Sequence, residues 1–170
     1  NGNDMTKFAD DTYTIIPASN IDTRDMEIDN VETWARGNNL KLNRSKCCEM
    51  IITDNRGRAQ NKAIPIVLEG LHRVTSLKIL GVTITNNLSM SEHVRNVIAS
   101  CAQTLYALRV LRTHGMTNSE LQIVYRSVVI AKIIYAASAW WAFTSTDDRQ
   151  HIDAFIHRSI RCGFCSINQS

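Results

Sequence analysis

The spacing of apolar residues along this chain changes once, near residue 89: short runs of period two give way to long runs of period three to four. Met5-Thr6-Lys7-Phe8 and Thr12-Tyr13-Thr14-Ile15-Ile16 are β-prone runs on either side of Ala9-Asp10-Asp11. They predict a tight hairpin with two adjacent carboxylates at its tip. Pro17-Ala18-Ser19-Asn20 is a break. From about Asn20 to Arg36, Ile21, Ile28, Val31, Trp34 and Ala35 fall near one helical face, with acids loading the first half and Gly37 closing the helix. Leu40 to Leu42 reads as a short extended piece before a turn, and Cys47 to Thr53 reads as a strand. Asp54 to Lys62 reads as a surface loop. Strands are expected over Ile64 to Leu68 and Leu71 to Ile84, broken at Glu69-Gly70, with a turn at Asn86-Asn87.

The second half is helical throughout. Ser89-Met90-Ser91-Glu92 has capping-box spacing, and Val94, Val97, Ile98, Cys101, Leu105 and Leu108 then repeat on one face until Gly115. Thr117-Asn118-Ser119-Glu120 opens a second helix with Leu121, Val124, Tyr125 and Val128 on one side, becoming apolar all round towards Trp140-Trp141. Ser145-Thr146-Asp147-Asp148 caps a third, with Ile152, Phe155, Ile156 and Ile160 on its buried stripe. The expected class is α+β, residues 1–88 carrying the hairpins and 89–170 a three-helix piece. No internal repeat or low-complexity tract is present.

Composition narrows the possibilities slightly. The apolar share of 44% and charged share of 21% are those of an ordinary globular protein. Residues 1–90 balance 11 basic against 11 acidic side chains, whereas residues 91–170 hold 8 against 5, so the helical half carries the whole net +3. That bias suits a phosphate-backbone partner without requiring one. The apolar run Val128 to Phe143 contains Lys132 and falls short of a membrane span of roughly 18 residues, so a buried helix is expected and no membrane partner. Five cysteines, with Cys47 and Cys48 adjacent, make no disulfide framework and suit a reducing, intracellular setting. Cys162-Gly163-Phe164-Cys165 has the spacing of half a zinc site, with His151 and His157 upstream, but four ligands cannot be assembled around it.

The chemistry sits at the first hairpin. Aspartate is a good turn residue in its own right. Two carboxylates at one point also attract hard divalent cations, and a pair of such ions activates an attacking hydroxyl and stabilises a leaving oxygen in phosphoryl transfer. Lys46 reads either as a solvated lysine at a strand entrance or as a proton donor, Gly81 as a strand-interior glycine marking a bulge or a close approach. Trp140, Trp141 and Tyr135 read as core. Arg95, Arg109, Arg112 and Arg126 lie off the apolar stripes.

Phe8-Ala9-Asp10-Asp11 with its flanking β runs resembles the metal-binding hairpin of reverse transcriptases, particularly those of non-LTR (LINE-type, jockey-like) retrotransposons. The order of the later segments is also similar. Trp34 through Leu40-Lys41-Leu42-Asn43-Arg44-Ser45-Lys46 resembles the family's fourth palm motif, a Leu-Asn pair with Lys after two residues. Leu77-Lys78-Ile79-Leu80-Gly81-Val82-Thr83-Ile84 resembles the primer grip, and the helices from Ser89 resemble the thumb and its continuation. The resemblance weakens after about residue 145. It implies the C-terminal palm and thumb of an RNA-directed DNA polymerase that adds dNTPs to a DNA primer on an RNA template. Asp10 and Asp11 would be ligands of Mg2+ (or Mn2+), and Lys46 the acid protonating pyrophosphate. Lys78, Leu80, Gly81, Arg95, Arg109 and Arg112 would contact primer or template. The resemblance also places the site's other aspartate, and the fingers, upstream of this chain, so the segment alone is expected to be inactive. It implies nuclear action. The alternative is a non-catalytic relic or domesticated fragment that binds nucleic acid.

Overall fold

The computed structural model describes residues 2–53 and 64–165. The chain is α+β, as its periodicity predicts. Contacts divide it into two units, Asn1–Glu49 with Arg56–Val74, and Met50–Asn55 with Thr75–Ser170.

The first unit opens with β1 (Asp4–Phe8) and β2 (Asp11–Ile15), an antiparallel hairpin whose register ends at Phe8 opposite Asp11. A short 3-10 turn (Ala18–Thr23) leads into α1 (Arg24–Gly37). Helix α1 keeps Asp25 and Glu27 in its first turn and Arg36 in its last, the distribution that complements the helix dipole. β3 (Cys48–Glu49) and β4 (His72–Arg73) pair in parallel over two residues only. Among the described residues of this unit Ala35 alone is buried, while Met5, Phe8, Ile15, Met26, Trp34, Leu40, Ile64, Ile66 and Val67 are exposed.

Polar contacts hold this unit where a hydrophobic core would otherwise act. Glu49 accepts from Arg24 at 3.1 Å and from the Arg73 Nε at 3.0 Å, and the same two arginines donate to the carbonyls of Ile66 and Pro65. The strand expected over Ile64 to Leu68 does not form. Pro65 has no N–H for a ladder, and arginine side chains take the carbonyls that a neighbouring strand would use. The strand expected up to Thr53 is cut to Cys48–Glu49. The loop read over Asp54 to Lys62 lies outside the described residues.

The second unit holds the core. β5 (Ser76–Ile79) and β6 (Val82–Thr85) form an antiparallel hairpin. α2 (Ser91–Thr113) buries His93, Val94, Cys101, Leu105 and Leu108, with Val97 and Ile98 packed at the margin, close to the stripe read from the sequence. α3 (Asn118–Val124) runs into a π turn (Tyr125–Ile130), then α4 (Ala131–Ile134), α5 (Ala137–Trp140) and α6 (Thr146–Arg161). The buried residues of the middle run are Leu121, Tyr125, Val129 and Ile133, spaced by four. In an α-helix of 3.6 residues per turn such a row drifts about 40° per step, and the i→i+5 bonding of the π turn takes up that drift. Val128, read as a core position, is therefore exposed and Val129 takes its place.

The continuous helix expected as far as Trp141 is broken. Tyr135 is non-helical, and Ala136 is left-handed at φ +50°. Trp140 is buried and donates its Nε1 hydrogen to the Tyr135 carbonyl at 2.9 Å, but Tyr135 and Trp141 are exposed, contrary to their expected place in the core. By length and composition Asn118–Phe143 is long and apolar enough to cross a membrane, although the sequence puts the run from Val128 below that length. The break at Tyr135-Ala136 ends its unbroken helix at Ile134.

Candidate metal hairpin and nucleic-acid surfaces

The tip of the first hairpin is a two-residue turn, Ala9 and Asp10, with Asp11 as the first residue of β2. Ala9 sits at φ +52°, a region two-residue hairpins need and alanine disfavours by about 1–2 kcal/mol. Such strain is retained where the surroundings fix it, often at working sites. Both aspartates are exposed, and among the described residues neither is in an ion pair. The Tyr13 hydroxyl donates to Asp11 Oδ2 at 3.3 Å. Partial burial, with the Asp11 charge beside it, pushes the Tyr13 phenol above its ordinary value.

Contacts from Lys7 and from Asn3, just before β1, set the hairpin against α1 and the turn that precedes it. Lys7 Nζ lies 4.6 Å from the centre of the Trp34 ring, and Asn3 donates to Thr23 Oγ1 at 3.0 Å and Glu27 Oε1 at 2.7 Å. Exposed, unpaired carboxylates suit Mg2+ or Mn2+, which take one or two carboxylates and complete their shell with water and substrate phosphates. Among the described residues no group of three or more His, Cys, Asp or Glu could hold a metal, the Cys162/Cys165 pair with His151 and His157 included. Among the described residues Asp10 and Asp11 therefore form no cage for a metal by themselves.

Lys46 ends a 3-10 turn (Arg44–Lys46) that Arg44 braces by donating to Glu32 at 2.6 Å. Lys46 is exposed, so the burial that a proton-donating lysine calls for is not supplied by the described residues. Lys78, Leu80 and Gly81 come together on the β5–β6 hairpin. Gly81 is not strand-interior as its surroundings suggest: Leu80 (φ +46°) and Gly81 (φ +87°) form the turn itself. Lys78 and Leu80 are exposed there, and the Leu80 carbonyl accepts from Tyr135 Oη at 3.0 Å. Behind the hairpin, buried His93 accepts from Thr83 N at 3.3 Å and meets Trp140 edge-on at 5.2 Å. Burial, and then the nearby Lys78 charge, hold the His93 imidazole below its ordinary value.

The three arginines expected to face nucleic acid have different fates. Arg112 is committed to structure: its Nη1 donates to the Cys162 carbonyl at 2.7 Å, and its guanidinium lies 4.2 Å from the Phe164 ring centre. A cation on the last carbonyls of α6 is a helix C-terminal cap, which removes Arg112 from the free basic surface. Arg109 is exposed and donates to Cys162 Sγ at 3.0 Å. Arg95 lines a groove between α2 and α6 together with His151, Arg158 and Arg161, three residues that the sequence reading does not mark as phosphate contacts. The signal that finds them is helical spacing: 151, 154, 158 and 161 share one face.

No protein-family model and no solved structure matches the chain. The chain is similar to the retrovirus-related Pol polyprotein from type-1 retrotransposable element R1 2 of Nasonia vitripennis, at 29% identity over 123 residues. The match covers 68% of this chain and 29% of that protein, so the chain spans a little under a third of the relative's length. The similarity supports a retrotransposon-related origin.

Proposed function

We propose that this chain is the C-terminal palm and thumb of a reverse transcriptase from a non-LTR retrotransposon, with Asp10 and Asp11 as one arm of a two-metal site. The observation that carries the reading is a pair of adjacent, exposed carboxylates at a strained hairpin turn, Asp10 in the turn and Asp11 opening β2, neither of them in an ion pair among the described residues. Similarity to a retrotransposon Pol polyprotein supports it. Asp10 is the principal ligand and Asp11 its companion. Mg2+ or Mn2+, when bound, lowers the pKa of a primer 3′-hydroxyl and neutralises charge on the triphosphate. The chain's own residues position the rest: Lys78, Leu80 and Gly81 present a primer-facing hairpin, and Lys46 serves as the proton donor to pyrophosphate once the dNTP and the rest of the palm enclose it. The partners are an RNA template, a DNA primer, dNTPs and the upstream palm and fingers, in a nuclear setting.

Primer extension tests this. The isolated chain incorporates no dNTP on poly(rA)/oligo(dT), and in a longer polyprotein carrying this segment Asp10→Asn abolishes extension while the fold is kept. Full activity of that mutant refutes the metal assignment. The second reading, a fragment that binds nucleic acid without catalysis, is favoured by the basic groove between α2 and α6.

A further inference from the structure

We propose that Cys162 and Cys165 are a dithiol that a hydroperoxide oxidises to an intramolecular disulfide, with Cys162 as the attacking sulfur and Cys165 as the resolving one. All five cysteines of the chain are free, and Cys101 is fully buried. Cys162 and Cys165 are half-buried and pack against the edge of one core cluster. The chain reverses between them. Gly163 takes φ +74°, its N–H donates to the Ile160 carbonyl at 2.8 Å, and Phe164 N donates to the Ser159 carbonyl at 3.2 Å. A disulfide asks for Cα atoms about 5.5–6 Å apart, a span that a chain turned back over four residues supplies. Two sulfurs with no third ligand among the described residues make a poor zinc site.

The surroundings of Cys162 are electropositive. Arg109 donates from Nη2 to Cys162 Sγ at 3.0 Å. Arg112 wraps the same turn: its Nη1 donates to the Cys162 carbonyl at 2.7 Å, its Nη2 lies 3.8 Å from where a Cβ on Gly163 would be, and its guanidinium is 4.2 Å from the Phe164 ring centre. The carbonyls that end α6 disfavour negative charge nearby; Arg112 answers them and leaves Arg109 for the sulfur. Peroxide-sensing thiols occupy such half-open, basic settings beside a second cysteine.

A second observation comes from the core side. Among the described residues two buried side-chain atoms have no hydrogen-bond partner, Arg112 Nε and Tyr125 Oη, and both side chains lie against Phe164, the residue before Cys165. Tyr125 is fully buried. Burial above all pushes its phenol up, and the Cys165 sulfur adds to this. Ser159 pulls the other way, yet its hydroxyl is spent on the Phe155 carbonyl at 3.0 Å and takes no hydrogen bond from Tyr125. A buried donor without an acceptor is costly. Negative charge arising on Cys165 as it attacks gives Tyr125 the acceptor it lacks.

With hydrogen peroxide the steps balance. The Cys162 sulfur attacks the O–O bond: an S–O bond forms, the O–O bond breaks, and the departing oxygen takes the thiol proton and leaves as water. The Cys165 sulfur then attacks the Cys162 sulfenic acid: an S–S bond forms, the S–O bond breaks, and the hydroxyl takes the Cys165 proton and leaves as a second water. The two thiols lose two electrons and the peroxide gains them.

Hydrogen peroxide added to the reduced whole chain in EDTA, quenched with iodoacetamide and digested with trypsin, tests this by mass spectrometry. Cleavage after Arg161 puts Cys162 and Cys165 in one peptide, and cleavage after Lys46 puts Cys47 and Cys48 in another, which serves as the internal reference. The first peptide loses two hydrogens about tenfold faster than the reference cysteines are oxidised, the worth of one charge-assisted hydrogen bond. Cys165→Ser stops at a sulfenic acid on Cys162 that dimedone traps. Arg109→Ala slows that first step about tenfold, and Arg109→Lys restores part of it. Tyr125→Phe leaves the first step unchanged and slows closure of the disulfide. Circular dichroism confirms that each variant is folded. The proposal is overturned by equal rates at the reference pair, by disulfides between copies in place of the internal one, or by parental rates in either Arg109→Ala or Tyr125→Phe.

Discussion

The Tyr135 hydroxyl donates to the Leu80 carbonyl at 3.0 Å across 55 residues of sequence, fixing the tip of the β5–β6 hairpin to the helix break. The same ring stands 3.4 Å from where a Cβ on Gly81 would be, close to van der Waals contact, so what the turn denies a larger residue at Gly81 is its backbone conformation, φ +87°. Tyr135 is exposed because it is used at this contact and not in the core.

Tyr135→Phe should therefore loosen the hairpin tip without disturbing the helical core. The expected loss is about 0.5–1.5 kcal/mol, that of one hydrogen bond. Faster amide exchange confined to residues 79–83 would show it, and urea unfolding gives the magnitude.

Leu80 is a poor residue for its position. Two positive-φ residues in a two-residue hairpin favour Asn-Gly, and a leucine there costs about 1–2 kcal/mol. Leu80→Asn should raise the thermal midpoint by about 2–4 °C. If Leu80 also touches the primer, the same substitution weakens primer use in the longer polyprotein while stabilising the fold.

Much of the helical half is legible in the sequence because its signals are local. The boxes at Thr117 and Ser145 form as read, each hydroxyl accepting from the amide three residues on and each acid reaching back. The box read at Ser89 does not form: its hydroxyl turns to Ser91, and the helix begins two residues later with no side-chain cap. The hairpin at Leu80-Gly81 is hidden because apolar alternation runs straight through it, and nothing in a leucine announces a left-handed backbone. The Glu49–Arg24–Arg73 cluster is hidden for another reason, since residues 25 and 24 positions apart from Glu49 meet only through the fold. At the candidate site the adjacency of Asp10 and Asp11 is visible, whereas the joining of Arg95 to Arg158 and Arg161 depends on how α2 meets α6.

Asp148 links the third capping box to α2, accepting from Ser145 N at 3.0 Å, Ser145 Oγ at 2.7 Å and Ser91 Oγ at 2.8 Å. Burial pushes its carboxyl upward, but these hydrogen bonds outweigh it and hold the group below its ordinary value. With the folded value depressed, this stability is present above the ordinary carboxyl range of about 3.9 and is lost as pH falls through the lower folded value. Asp148→Ala should cost about 1–3 kcal/mol at neutral pH and flatten the acid limb of the stability curve.

His93 works in the same direction at higher pH. Its folded value is depressed, so its contribution is full above the ordinary imidazole value of about 6.5 and declines as pH falls below it. His93→Gln should remove that slope between about pH 6.5 and the depressed value. Urea unfolding at a series of pH values reads it.

The claim on which the functional reading rests is that the Asp10-Asp11 tip is a metal arm. Manganese titration followed by nuclear magnetic resonance tests it most directly. Weak, saturable broadening centred on Phe8 to Tyr13 that disappears in Asp10→Asn/Asp11→Asn is the predicted result. Broadening scattered over the other exposed acids, or unchanged in that variant, would contradict it.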